Sequence, residues 1–230
     1  MKLEEQIYLR KSCRKYLDEP VNLDLIDEFM SNVKPLNEDI KYRYEFLKQN
    51  EVSSKMHFKA PYYLAIYSEI KENYMVNAGF IFQQLCLYLQ SQGIGSCWLG
   101  LGSPKKKDSE FVILISFGKS DDMTRTLDEF KRNNLSKISD EVDESLIPAQ
   151  LAPSAMNSQP WYFKHTVDGF DVYQVKQNII KRQLLKRWNP IDMGIAISHM
   201  YIANENTFEF KIKDNFDELK GYTYIGSIKI

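Results

Sequence analysis

Cysteine is scarce in this chain. There are three in 230 residues, Cys13, Cys86 and Cys97, with no C-x-x-C pair and no histidine near them at metal-ligand spacing. That pattern gives neither a disulfide framework nor a zinc site, and it fits a reducing cytoplasm. Neither sign of charge is in excess, since 30 Lys+Arg face 31 Asp+Glu for a net charge of -1. The balance excludes the broad basic surface of a nucleic-acid binder and a polybasic membrane anchor. No apolar run approaches the roughly 20 residues that span a bilayer, and no signal-peptide pattern opens the chain. The expectation is a cytoplasmic protein without a membrane or nucleic-acid partner. What the chain does have is 43% hydrophobic and 27% charged residues, enough to bury a core as one large domain or two small ones.

Helix and strand patterns are mixed, which makes the fold class α+β. Ile26, Phe29, Met30 and Val33 repeat at helical spacing after "PVNLD". "YYLAIY" (Tyr62–Tyr67) and "FVILISFG" (Phe111–Gly118) are continuous apolar runs that predict buried strands. Between them Ala78, Ile81, Phe82, Leu85 and Leu89 form a deep helical stripe, with Gly79 small enough to admit a second helix. Later, "WYFKHTVDGFDVYQV" (Trp161–Val175) reads as a hairpin with a type I′ turn at Asp168-Gly169. Met193, Ala196, Ile197 and Met200 form another stripe after "WNPID", and "FEFKIK" (Phe208–Lys213) and "YTYIGSIKI" (Tyr222–Ile230) read as strands.

The second half repeats the order of the first. Setting Arg10 against Arg132 matches Lys15 with Lys137, Asp18 and Glu19 with Asp140 and Glu141, and, after one gap, Leu25 and Ile26 with Leu146 and Ile147. Setting Gly79 against Gly194 lays one deep helix over the other. The expectation is two similar halves, residues 1–120 and 121–230, packed as one unit and joined through about Gly118 to Asn134. Coincidence of charged-helix patterns is the alternative reading.

Two stretches suggest chemistry. "LAPSAMNSQPW" (Leu151–Trp161) is read from its residues as a polar turn between a helix and a strand, in which Pro153 and Pro160 favour extended neighbours. Its density of amide and hydroxyl groups at Ser154, Asn157, Ser158 and Gln159 would also suit the edge of a planar heterocycle. "LRKSCRKY" (Leu9–Tyr16) is the second, a basic stretch in which a solvated helix-end charge is the plainer of two readings open for Arg10. In "GIGSCWLGLG" (Gly93–Gly102), Gly93 alone would serve as a helix C-cap. Cys97 reads as packing rather than a nucleophile, and His199 with Asp192 lacks the serine partner of a hydrolytic triad. His57 and His165 are isolated, and Lys105–Lys107 read as a solvated loop able to attract an anionic cofactor.

Taken together, Arg10-Lys11-Ser12-Cys13-Arg14, Ala152 to Trp161 and Gly93 to Gly102 give a chain that resembles the nitroreductase family of flavin enzymes, and in particular a branch with two fused repeats per chain. The resemblance implies a nitroreductase-like α+β fold whose halves form an intramolecular pseudo-dimer. Ordinary members carry all three motifs in one repeat and build the flavin site between two subunits. Here the first half keeps the arginine motif and the Gly-rich loop, and the second keeps the Ser-Asn-Gln-Pro-Trp loop, which implies one FMN site between the halves of a monomer or weak dimer.

Roles follow from the same resemblance. Arg10, Lys11 and Ser12 belong to the phosphate motif, with Arg132 or Lys131 adding charge. Arg14 corresponds to the basic residue beside the pyrimidine edge, where a cation stabilises the reduced ring. Gly100 and Leu101 would offer backbone N–H groups to the ring, and Pro153, Ser154 and Asn157 would contact it from the second half. The implied activity is hydride transfer from NAD(P)H through FMN to a small electron-poor acceptor, a nitroaromatic or a quinone, with no catalytic side chain. A non-catalytic flavin-binding or sensing protein is the alternative.

Overall fold

The computed structural model describes residues 2–176, 178 and 183–230. Its first sheet is built from β1 (Tyr42–Leu47), β3 (Tyr62–Ser68), β4 (Ile94–Leu99) and β6 (Phe111–Lys119), in the order β1-β3-β6-β4. The second uses β7 (Trp161–Thr166), β8 (Gly169–Val175), β9 (Glu209–Lys211) and β10 (Tyr222–Lys229), in the order β7-β8-β10-β9. All pairings are antiparallel. Each sheet therefore runs first, second, fourth, third in chain order. A short ribbon of β2 (Val52–Ser54) and β5 (Gly102–Pro104) stands apart.

The continuous apolar runs become the central strands β3 and β6, paired from Tyr62↔Phe117 to Tyr67↔Phe111 and covered on both faces. A long helix follows the second strand of each sheet: α3 (Tyr74–Ser91) and, after the short α4 (Leu135–Ile138) and α5 (Ile147–Leu151), α6 (Asn189–Ala203). Both are apolar on nearly every side, as suits helices enclosed by protein. They cross at their glycines. A Cβ on Gly79 would lie 2.1 Å from the carbonyl oxygen of Ile191, and a Cβ on Gly194 would lie 1.9 Å from that of Val76. The contact is reciprocal, each glycine meeting the carbonyl three residues ahead of the other. No helix among the described residues is long and apolar enough to cross a membrane.

Two short helices open the chain, α1 (Leu3–Ile7) and α2 (Asp24–Met30). The stripe that predicted α2 extends to Val33, but Ser31 and Asn32 turn their side chains back onto the Glu28 carbonyl and end the helix. Pro35 then disfavours a helical Lys34. The hairpin is present, but its turn is shifted by one residue. Thr166 pairs with Gly169, so Val167 and Asp168 form the loop, and only Gly169 takes a positive φ, 151°. A side chain on Gly169 would strike the Ile228 carbonyl at 2.3 Å, which fixes glycine just after the turn. The strand expected from Phe208 to Lys213 narrows to β9, whose Phe210 ring occupies the space beside Gly226.

His165 on β7 fastens the segment ahead of α5. Its Nδ1 lies 2.7 Å from Asp140 Oδ1 and its Nε2 3.1 Å from Asp143 Oδ2. Partial burial lowers the imidazole pKa, but the hydrogen bonds and charges of Asp140 and Asp143 outweigh it and leave the pKa raised.

Two outcomes are expected. Gly194→Ala should destabilise the chain by about 1–3 kcal/mol or more, since backbone cannot yield as a side-chain tip can, measured by denaturant unfolding. Because the folded His165 pKa lies above its unfolded value, its stabilisation is full below about pH 6.5 and is lost as pH rises through the folded value. The stability gap between wild type and His165→Gln should therefore close as pH is raised from that point.

Candidate functional site

Residues Arg10 to Arg14 run extended. Arg10 bridges Thr124, Lys11 N–H donates to the Met123 carbonyl and Cys13 N–H to the Ser96 carbonyl. Alternation then sends Arg10, Ser12 and Arg14 to one side and Lys11 and Cys13 to the other. Lys11 pairs with Asp122, and Cys13 packs under Gly95 with its thiol on Ser120. Lys11 is thus set apart from its motif neighbours.

Ser12 and Arg14 reach a cavity of about 360 Å³ also lined by Gly100, Leu101, Pro153 and Ser154. The early and late stretches therefore meet at one site. Trp98, Trp188, Met56 and Asp192 complete its walls, and none of these was assigned to the site from sequence. The signal for Trp188 lay in Gly100, where a Cβ would come within 2.7 Å of the indole. Glycine is required there by the indole. Leu101, Met156 and Leu184, 53%, 73% and 50% exposed, make the rim apolar.

Arg10 is 5% exposed, and its Nη2 donates to Ser12 Oγ at 3.3 Å. Arg125 is brought beside it by backbone pairing, its N–H on the Leu9 carbonyl and its Nε on the Arg10 carbonyl at 2.9 Å. Arg132 donates to Asn157 Oδ1 at 2.7 Å and to the Leu151 carbonyl. Asn157 returns a bond to the Lys131 carbonyl. Asn157 therefore acts on Arg132 and does not line the cavity. Arg125 and Arg132 both lie against the Phe130 ring.

Among the described residues none of Arg10, Arg14, Arg125 and Arg132 forms an ion pair. Glu129, which lies near Arg125, gives its carboxylate to Thr126. Burial, then the charges of Arg125 and Arg132, push Arg10 down to about 9, and burial with Arg125 pushes Arg132 down to about 10. Both residues keep a buried Nε without a partner. Clustered, desolvated cations with open donors are the donor set of an anion site, and a dianion suits them best.

The late loop is held in an unusual backbone. Met156, Asn157 and Gln159 have φ of 52°, 54° and 45°, each costing on the order of 1–3 kcal/mol in a residue with a side chain. Hydrogen bonds hold it there. Ala155 N–H donates to both carboxyl oxygens of Asp192 at 3.1 Å, Gln159 N–H to Ser154 Oγ, and Asn133 N–H to Gln159 Oε1. Asp192 is buried, and burial raises its pKa well above the carboxylate range despite the bonds from Ala155 and Ser158.

Trp98 is fixed from behind. Its Nε1 donates to Gln83 Oε1 at 3.1 Å, Gln83 Nε2 lies 2.9 Å from His199 Nε2, and His199 Nδ1 lies 2.8 Å from the Pro148 carbonyl. Burial pushes His199 down to about 3, so it is neutral. Its Nδ1–H then donates to Pro148 and its Nε2 accepts from Gln83. Burial also raises the Cys97 thiol, consistent with packing rather than nucleophilic work.

The profile of the family described as "Putative TM nitroreductase" matches residues 2–204. The chain belongs to this family. Among solved structures, the nitroreductase-family fold is shared with a "putative nitroreductase" of Thermotoga maritima, at 21% identity and a TM-score of 0.68 over 99% of this chain and 92% of that one. A nitroreductase family protein of Clostridium difficile 630 aligns at 15% identity and a TM-score of 0.48 over 60% of this chain and 96% of that one. An FMN-dependent nitroreductase of Clostridium difficile R20291 aligns at 17% identity and a TM-score of 0.43, over 55% and 93%. No curated protein matches the sequence.

The unpaired arginines predict a trade between binding and stability. Arg10→Gln should stabilise the ligand-free protein by about 1 kcal/mol, a rise of about 2–4 °C in thermal midpoint. Inorganic phosphate should raise the midpoint of the wild type and not of the variant.

Proposed function

We propose that this nitroreductase-family chain is an FMN-dependent oxidoreductase passing hydride from NAD(P)H to an electron-poor acceptor. The observation that carries the reading is the arginine group around the buried Arg10, without an ion pair among the described residues and adjoining a cavity walled by two tryptophans. The open Nε groups of Arg10 and Arg132 fit a phosphate monoester dianion. Arg10, Ser12, Arg125 and Arg132 would hold that phosphate. Arg14 would stand at the pyrimidine edge, Gly100 and Leu101 would offer backbone donors, and Pro153 and Ser154 would touch the ring. Asn157 would orient Arg132. Lys11, engaged with Asp122, is left out of the site.

Bound FMN supplies the two-electron hydride chemistry. The chain's part is electrostatic and positional. Arg14 would stabilise negative charge on a bound ring, the Trp98–Gln83–His199 chain holds one wall still, and the strained loop would present Ser154 to it. The apolar rim of Leu101, Met156 and Leu184 admits a flat donor or acceptor while excluding water from the ring face.

The same reading takes residues 1–120 and 121–230 as fused counterparts forming a pseudo-dimer. Three observations support it: the shared strand order of the two sheets, the reciprocal glycine contact, and the buried Asn77, whose Oδ1 accepts from Leu36 and Asn37 N–H as Asp192 accepts from Ala155. A second working site is not expected. Phe80, which answers to Ile195, is packed against Phe208 and Tyr201.

Titration with FMN should give one flavin per chain, and anaerobic NAD(P)H should bleach its visible bands. Asn157→Ala should weaken FMN binding about tenfold, the worth of one charge-assisted hydrogen bond, without unfolding the protein. Two flavins per chain would contradict the single site, bound flavin that does not bleach would favour a non-catalytic binder, and no flavin would overturn the reading.

A further inference from the structure

Asn77 and Asp192 stand at matching places, each two residues ahead of the glycine at which its helix crosses the other. Each is buried, and each accepts backbone N–H bonds from the loop packed against its helix. Asn77 shows that a neutral amide does this work fully, taking two N–H groups at 2.9 Å. Asp192 takes one N–H, shared between its two oxygens, and a long contact from Ser158 Oγ at 3.5 Å. Among the described residues it has no ion-pair partner.

A carboxylate that is 4% exposed and holds one N–H is poorly solvated, which favours the neutral, protonated form. Of the two counterparts only Asp192 lines the cavity walled by Trp98, Trp188 and Gly100. The counterpart that lines the cavity is therefore an acid where loop-pinning alone needs only an amide.

We propose that Asp192 is the proton donor to the acceptor in this cavity, which rests on the oxidoreductase reading above. With a quinone, the hydride and its electron pair come from the reduced flavin, which is oxidised. The Asp192 O–H bond breaks as an O–H bond forms on the quinone oxygen, the quinone is reduced to a quinol, and the carboxylate regains a proton from water. A one-electron acceptor such as ferricyanide takes no proton and bypasses Asp192.

The test is Asp192→Asn, which keeps the loop contact that Asn77 already makes in the other half, in FMN-loaded protein. Quinone reduction should slow about 100-fold, the low end for loss of a general acid, and by far more than ferricyanide reduction in the same variant. Infrared difference spectra of the flavin-free protein should contain a neutral-carboxyl band that the variant lacks. Equal loss with quinone and ferricyanide, no loss with quinone, or no such band would overturn the assignment. If the wild type binds no FMN the oxidoreductase reading fails at that step, whereas the infrared band reports on Asp192 without flavin. Asp192→Ser serves if the asparagine variant does not fold, and Asn77→Asp should leave quinone reduction untouched.

Discussion

The crossing of α3 and α6 constrains everything else. Two backbones approach until the missing side chains of Gly79 and Gly194 are filled by carbonyl groups of the opposite helix. At that distance the helices cannot slide, because each glycine admits one carbonyl and no other position of the same face is a glycine. The cavity takes a wall from each side of the crossing. Trp98 comes from β4, while Ile191, Asp192 and Ile195 come from α6, with Trp188 just ahead of it. A shift of one helix would part these walls. The Gln83–His199 bond ties the same crossing to Trp98.

Against that rigid frame the arginine group is deliberately unbalanced. Ordinary surface arginines are solvated or paired, and buried ones are compensated. Here the buried Arg10 has Arg14, Arg125 and Arg132 near it and no ion pair among the described residues, with Arg125 and Arg132 coming from a segment remote in sequence from Arg10. Tight helix packing, with its large apolar burial, is what lets the fold tolerate such a group.

Much of this was legible in the sequence, for stated reasons. Periodicity marked α3, α6 and the central strands, because burial on all sides leaves unbroken apolar runs. Ser12, Arg14, Gly100, Leu101, Pro153 and Ser154, which the motifs single out, line one cavity. What escaped was whatever depends on a neighbour distant in the chain. Arg125 carries no local pattern and joins Arg10 only through a β-bridge. Lys11 looked like part of the phosphate motif, yet the extended backbone turns it outward to Asp122. Asp192, set aside in the sequence only for want of a triad serine, carries no local sign of its burial, and the hairpin turn moved by one residue because Gly169 is held by Ile228 on the adjacent strand.

The difference between Asn77 and Asp192 has a consequence for how such a molecule can change over generations. Where two identical subunits share an interface, every substitution is inherited by both sides, and a position can be improved for one task only as far as the other copy tolerates it. These two residues are encoded separately, so either can be replaced while the other continues its structural duty. If the two halves are fused counterparts as proposed, the position facing the cavity is free to specialise its chemistry while the opposite one is filled with rings such as Phe80 and Phe208.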